Sequence, residues 1–283
     1  MTNAYFRNFN HLLTTQPQDI VELFVSDLHL SEDEPALVQA FLAFLQDTIA
    51  LPNLKKLYIL GDWFDAWIGD DAYLTLDTNQ KAVHWITPII SQLNKLHQNG
   101  CQIFVMQGNR DFLLKQPFCD AFFATLINEP TLISIGHQKT RLEHGDALCT
   151  DDKRYQSFRK FARNRFVQWW LLKKPLQKRL QIAEKLRKQS KKENAHKSNE
   201  IMDVNQKQVS KQMRNVDLLI HGHTHRPAIH KLSHNQTRYV LGDWRIKKPK
   251  SSYQTVEAVI GAVYTNHDST PVFELCEYSH KTK

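Results

Sequence analysis

Short runs of β-branched and aromatic residues, each closing on a polar cluster, set the tightest limit on how this chain can fold. Residues 20–26, 54–60, 101–107, 140–143 and 216–221 have the length and composition of buried strands. Between the first two, residues 35–50 carry Leu37, Phe41, Phe44 and Leu45 at helical spacing, and residues 80–99 read the same way. Alternation of strand and helix predicts an α/β layer fold. After His225 come 238–241, 256–263 and 272–275, strands without intervening helices, which predict a second sheet or a sheet edge closing the domain.

Residues 151–215 differ, with no strand-like run and three expected helices. In the first, Tyr155, Phe158, Ala162, Phe166 and Trp169 recur three or four apart while Arg159, Lys160, Arg163 and Arg165 mostly take the other positions. Lys173-Lys174-Pro175 ends it, residues 176–188 repeat the pattern, and 201–213 form the third helix. The segment holds 19 Lys/Arg against 6 Asp/Glu within a chain of net charge +8, so the rest is acidic on balance. Such asymmetry points to an anionic partner. Residues 20–150 and 216–283 are thus expected to form a core, 151–215 an inserted basic helical cap, and 1–19 a loose N-terminal arm.

No apolar run approaches eighteen residues, so a membrane span is not expected, and the first residues lack the pattern of a secretory signal. Cys101, Cys119, Cys149 and Cys276 show no C-x-x-C spacing and read as reduced, structural thiols. A cytoplasmic protein follows as the expectation.

The polar clusters carry the chemistry. They are Asp27-Leu28-His29, Gly61-Asp62-Trp63-Phe64-Asp65, Gly108-Asn109-Arg110-Asp111, His144-Gly145-Asp146 and Gly222-His223-Thr224-His225. Each follows a predicted strand, and in open α/β sheets the loops beyond the strand carboxyl ends converge on one crevice. Carboxylate, imidazole and amide oxygen without cysteine suit manganese, iron or zinc. Ligands two apart in extended backbone leave on the same face, so Asp27 with His29, and His223 with His225, could each grip one site. Any one cluster alone is weak, since Asp27 and Asp62 could be helix caps and Asn109 a turn residue. The ordered set of five is not explained that way. Asp65, Asp111, Asp146 and His221 are expected to hydrogen-bond the ligands rather than bind metal.

The set resembles the calcineurin-like metallophosphoesterases, with D-x-H, G-D-x-x-D, G-N, a lone His and G-H-x-H in order. Arg110 stands where most of that superfamily has histidine. G-N-R-D-F-L (108–113), H-G-D-A-L-C-T-D-D (144–152), residues 190–197, I-M-D-V-N-Q (201–206) and H-G-H-T-H-R (221–226) are similar to one subgroup, the UDP-2,3-diacylglucosamine hydrolases of lipid A biosynthesis. Departures are Trp63, where an aliphatic residue is expected, the N-terminal arm and a longer C-terminal tail.

The resemblance implies a fold of two packed sheets flanked by helices, and two Mn2+ ions. One would be held by Asp27, His29 and His225, the other by Asn109, His144 and His223, with Asp62 bridging. It implies cleavage of the pyrophosphate of UDP-2,3-diacylglucosamine at the α-phosphorus by a hydroxide that the metals activate, with Asp62, Asn109, Arg110 and His144 as catalytic residues. The products would be UMP and 2,3-diacylglucosamine 1-phosphate. That chemistry suits Arg110: the leaving phosphate departs largely unprotonated, and a guanidinium grips phosphoryl oxygens at two points. Asn109, Arg110, Asp152, Ser190, Asn194, Lys197 and His223 would contact substrate, and the cap's apolar faces would hold the acyl chains at an anionic inner-membrane surface. Without the resemblance, Lys197 reads as a solvated lysine, Ser190 as a turn cap, and Phe158, Phe166, Trp169 and Trp170 as core.

Two other readings compete. A basic segment over a two-metal site could serve a nuclease. The aromatic faces of the cap fit a lipid-handling surface at least as well, and no nucleic-acid partner is expected. A binding protein with a silent site would ordinarily have lost ligands, and none is missing.

Overall fold

The computed structural model describes residues 6–194, 203–232, 235–247, 254–265 and 270–282. Its strands in chain order are β1 (Arg7–Asn8), β2 (Ile20–Val25), β3 (Lys56–Leu60), β4 (Gln102–Met106), β5 (Thr125–Ile127), β6 (Thr131–Ile135) and β7 (Gln138–Leu142). They continue with β8 (Leu218–His221), β9 (Ala228–Lys231), β10 (Thr237–Val240), β11 (Arg245–Lys247), β12 (Gln254–Thr265) and β13 (Pro271–Thr282). The helices are α1 (Phe9–Thr15), α2 (Pro35–Ile49), α3 (Asp71–Leu74), α4 (Thr78–Val83), α5 (Thr87–Gln98), α6 (Gln116–Asp120), α7 (Lys153–Ala162), α8 (Arg165–Leu172), α9 (Leu176–Asn194) and α10 (Gln206–Gln212).

One sheet runs β1-β13-β12-β2-β3-β4-β5 with β11 on β12, and the other runs β6-β7-β8-β10-β9. The β2, β3 and β4 strands pair in parallel, as do β7 and β8, so their carboxyl ends open on one edge of the sandwich. Of these, β2, β3, β4 and β8 are mostly apolar because both of their faces are covered, whereas β7 is polar at its exposed start. Leu23, Val25, Leu57, Ile59, Ile103 and Val105 join the core beneath α2 and α5. Their alternates Phe24, Tyr58, Leu60 and Met106 meet Leu142, Ile220 and Tyr239 of the other sheet. On that sheet's outer face, Leu219 packs with Val209 and Met213 of the α10 segment. The architecture is the expected pair of sheets flanked by helices.

Several expectations are corrected. Residues 6–19 are not loose: β1 pairs in parallel with β13, and Phe9 and Leu12 of α1 are buried in the main core. The helix expected over 80–99 is two, α4 and α5, because Pro88 at the start of α5 and extended backbone at His84 interrupt the periodicity. The first cap helix is also two. Asn164 leaves the helical conformation and its side chain accepts from the N–H groups of Phe166 and Val167, starting α8. The helix expected over 201–213 starts only at Gln206, capped by Asn205. The late strands meet both halves of their expectation, since β10 enters the second sheet beside β8 while β12 and β13 extend the first sheet beyond β2.

Candidate metal centre

Asp27 follows β2, Asp62 follows β3, Asn109 follows β4, His144 follows β7, and His223 and His225 follow β8. Close approach between these loops depends on glycine. A Cβ on Gly108 would overlap the Asp62 carboxylate, and one on Gly222 would overlap Asp27 and Ser26.

The two-apart pairs do not sit in extended backbone. Asp27, His29, Asp62, His223 and His225 all have positive φ, between 49° and 68°. A non-glycine residue there costs of order 1–3 kcal/mol, and such strain persists where the surrounding structure over-determines it. Tight left-handed turns, rather than the pleat of a strand, are what aim these five side chains inward.

Imidazole Nε2 atoms of His29 and His225 face each other at 3.2 Å, and His225 Nε2 lies 3.4 Å from Asp27 Oδ1. Asp62 reaches both halves of the cluster, with Oδ2 3.9 Å from His29 Nδ1 and Oδ1 3.7 Å from His144 Nε2. His144 Nε2 is also 3.1 Å from Asn109 Oδ1, and its ring centroid is 5.1 Å from that of His223. The donor atoms of Asp27, His29 and His225 converge within 4.8 Å of one another, as do those of Asp27, Asp62 and His144. The structure therefore brings all seven candidate ligands together. The first group matches the expected trio, whereas Asp27 also reaches the second.

Second contacts orient these groups. Asp27 Oδ2 accepts from Ser26 Oγ at 2.7 Å and from the His223 N–H at 2.8 Å, Asp62 Oδ1 accepts from the Arg110 N–H at 2.8 Å, and His144 Nδ1 is 3.0 Å from the Leu60 carbonyl. His225 Nδ1 stands 3.5 Å from Asp243 Oδ2. Ser26 and Asp243 escaped the sequence reading, although Gly242-Asp243 after a strand carries the same signal as Gly61-Asp62. Asp65, Asp111, Asp146 and His221 do not bond ligand side chains as expected. Asp111 accepts from the N–H groups of Gly108 and Trp63, Asp146 accepts from the Tyr155 hydroxyl and is ion-paired with Arg159 and Arg163 of the cap, Asp65 pairs with Arg110 and Arg187, and His221 lies against Gly222 and Arg238.

Electrostatics favour ligation. Burial would raise the Asp27 carboxyl, but His225, His144 and His29 hold it well below the usual range. Burial pushes His29 down to about 4 and, with His144 nearby, His223 down to about 3, so both are neutral near pH 7. Burial also pulls on His144, but Asp62 and Asp27 outweigh it and raise it to about 9. His29 Nδ1 is buried with no hydrogen bond. Facing imidazoles, a tightly held carboxylate and a donor set without thiolate fit a borderline or hard divalent cation.

The calcineurin-like phosphoesterase family matches residues 23–227. A UDP-2,3-diacylglucosamine hydrolase from Pseudomonas putida is 44% identical over 227 residues, covering 78% of this chain and 90% of the relative. One from Histophilus somni is 43% identical over 223 residues, covering 78% and 91%. The chain belongs to the UDP-2,3-diacylglucosamine hydrolase family. As a calcineurin-like phosphoesterase it is a hydrolase with a candidate metal centre. A dimetal phosphatase from Danio rerio aligns over 93% of this chain and 99% of its own at 10% identity and a TM-score of 0.44.

Beside the cluster a cavity of about 520 Å³ is lined by Asn109, Arg110, Asp152, Ser190 and His223 among the residues expected to contact substrate. Asp152 also caps α7, accepting from the Tyr155 N–H at 3.0 Å. Lys197 and the side chain of Asn194 lie outside the described residues. Phe166, Trp169 and Trp170 are not core, at 83%, 61% and 53% exposure. Among the described residues no helix is long and apolar enough to cross a membrane.

Proposed function

We propose that this chain hydrolyses the pyrophosphate bond of UDP-2,3-diacylglucosamine by attack on the α-phosphorus, giving UMP and 2,3-diacylglucosamine 1-phosphate in lipid A biosynthesis. One observation carries the reading. A single cavity runs from His29, Asp62, Arg110 and His223 to a wall made of Leu171, Ile182, Ala183 and Leu186 from the cap. A substrate with a charged nucleotide at one end and acyl chains at the other has the same two-ended chemistry.

In this reading Asp27, His29 and His225 hold one ion, Asn109, His144 and His223 the other, and Asp62 bridges them, with Mn2+ in both places. Bound ions supply an activated water and neutralise phosphoryl charge. Asp27 keeps His223 in place through its main chain, and the Arg110 N–H fixes Asp62. The Arg110 guanidinium lines the cavity, is 31% exposed and is held 3.5 Å from Asp65, and in this reading it binds phosphoryl oxygens. Asn109 and Arg110 orient the group attacked, and Asp152, Ser190, Asn194 and Lys197 contact the glucosamine or its phosphate.

Residues 151–215 act as a cap over the core of 20–150 and 216–283, and the protein works on the cytoplasmic face of the inner membrane. The cap's outer aromatics support this, since Lys173 lies 5.6 Å above Trp169 and Lys174 3.7 Å above Trp170. Aromatic rings with basic neighbours suit an anionic lipid interface. Hydrolysis in 18O-water tests the reaction: the label is expected in UMP, and label in the sugar phosphate instead would contradict attack on the α-phosphorus.

A further inference from the structure

Glu129, in the turn between β5 and β6, has a side chain only 3% exposed and joins two parts of the molecule. One carboxylate oxygen accepts from the main-chain N–H groups of His144 at 2.9 Å and Gly145 at 3.4 Å. The other lies 2.8 Å from Arg159 Nη2 and 2.9 Å from Arg163 Nη1, both on cap helix α7. Asp146, fully buried two residues beyond His144, takes the opposite side of the same guanidinium pair, 2.9 Å from Arg159 Nε and 3.6 Å from Arg163 Nη2. Two buried carboxylates and two guanidiniums therefore clamp the His144 turn from the cap.

We propose that Glu129 is a positioning residue that links docking of the cap helix α7 to the metal affinity of the His144 loop. A buried carboxylate needs its counter-charges, so when α7 leaves, Glu129 is left unpaired and the turn it anchors loses its support. Coupling between two binding events is reciprocal, so an ion on His144 must in turn steady α7. The proposal rests on His144 being a metal ligand, as read above.

The test is titration of the metal-stripped full chain with Mn2+ by calorimetry, together with hydrogen exchange of the α7 amides. Wild type is expected to bind two ions and to show slower α7 exchange when loaded. Glu129→Ala is expected to weaken one ion by about 10- to 100-fold, leave the other, and abolish the protection of α7. Glu129→Gln keeps the acceptor for the two N–H groups without the charge and is expected to fall between, which keeps the test informative if Glu129→Ala folds poorly. The Arg159→Ala/Arg163→Ala variant is expected to weaken the same ion, and combining it with Glu129→Ala should add little. Two ions bound as in wild type by Glu129→Gln and by the arginine variant would overturn the link, as would full additivity. Failure of wild type to bind Mn2+ would overturn the metal reading itself, and the link with it.

Discussion

The main-chain N–H of Trp63 donates to Asp111 Oδ2 at 2.8 Å, tying the loop after β3 to the loop after β4. The other carboxylate oxygen accepts from the Gly108 N–H at 2.6 Å, so one buried side chain sets the spacing between Asp62 and Asn109. Asp111→Ala would leave two N–H groups without a partner. The expected result is a loss of about 2–4 kcal/mol in stability by denaturant unfolding and a drop of about 10- to 100-fold in Mn2+ affinity. Wild-type metal affinity in a folded variant would contradict this role.

Metal binding should depend on pH through His144. Burial opposes its charge, but Asp62 and Asp27 raise it to about 9, so in the metal-free protein it carries a proton that a ligand must lose. His29 and His223, at about 4 and about 3, are already neutral near pH 7 and add no dependence there. The His144 proton alone is thus expected to raise Mn2+ affinity by up to about tenfold per unit as pH approaches 9, with flattening above it. His225, pulled down by burial but raised on balance by Asp27 and Asp243, adds in the same direction. Calorimetry in buffers of different ionisation enthalpy reads the released proton, and affinity independent of pH between about 7 and 9 would contradict the assignment.

Phe166, Trp169 and Trp170 are exposed, so their replacement by alanine should change stability by no more than about 0.5 kcal/mol each. Binding to anionic vesicles, measured by sedimentation, should weaken by several-fold for each, on the order of 1 kcal/mol. Unchanged vesicle binding by the triple variant would remove this face as a lipid contact.

Much of the core was legible because β2, β3 and β4 pack on both faces and read as largely apolar runs, with Glu22, Lys56 and Gln102 as the polar exceptions. The ligand clusters were legible because each stands at the end of such a run. What stayed hidden depends on partners distant in sequence or on backbone that composition does not report. Arg7 pairs with Cys276 across nearly the whole chain, so no local pattern marks β1. Left-handed backbone at Asp27, His29, Asp62, His223 and His225 is uncommon for any residue but glycine, although Asp and His tolerate it better than most, and local composition does not mark where it falls. Asn164 splits the cap helix without breaking its apolar periodicity. Glu129 carries no motif, and its role exists only once α7 and the His144 turn meet.

The proposed reaction at the Asp62 cluster is metal-dependent cleavage of a lipid-linked nucleotide. Its most direct test is the release of UMP from UDP-2,3-diacylglucosamine by chelator-stripped protein, with and without added Mn2+, for wild type and Asp62→Ala. Wild type is expected to release UMP only when metal is restored, and Asp62→Ala to lose at least about 100-fold. Release by stripped wild type without metal, or undiminished release by Asp62→Ala, would contradict metal-dependent cleavage at this cluster.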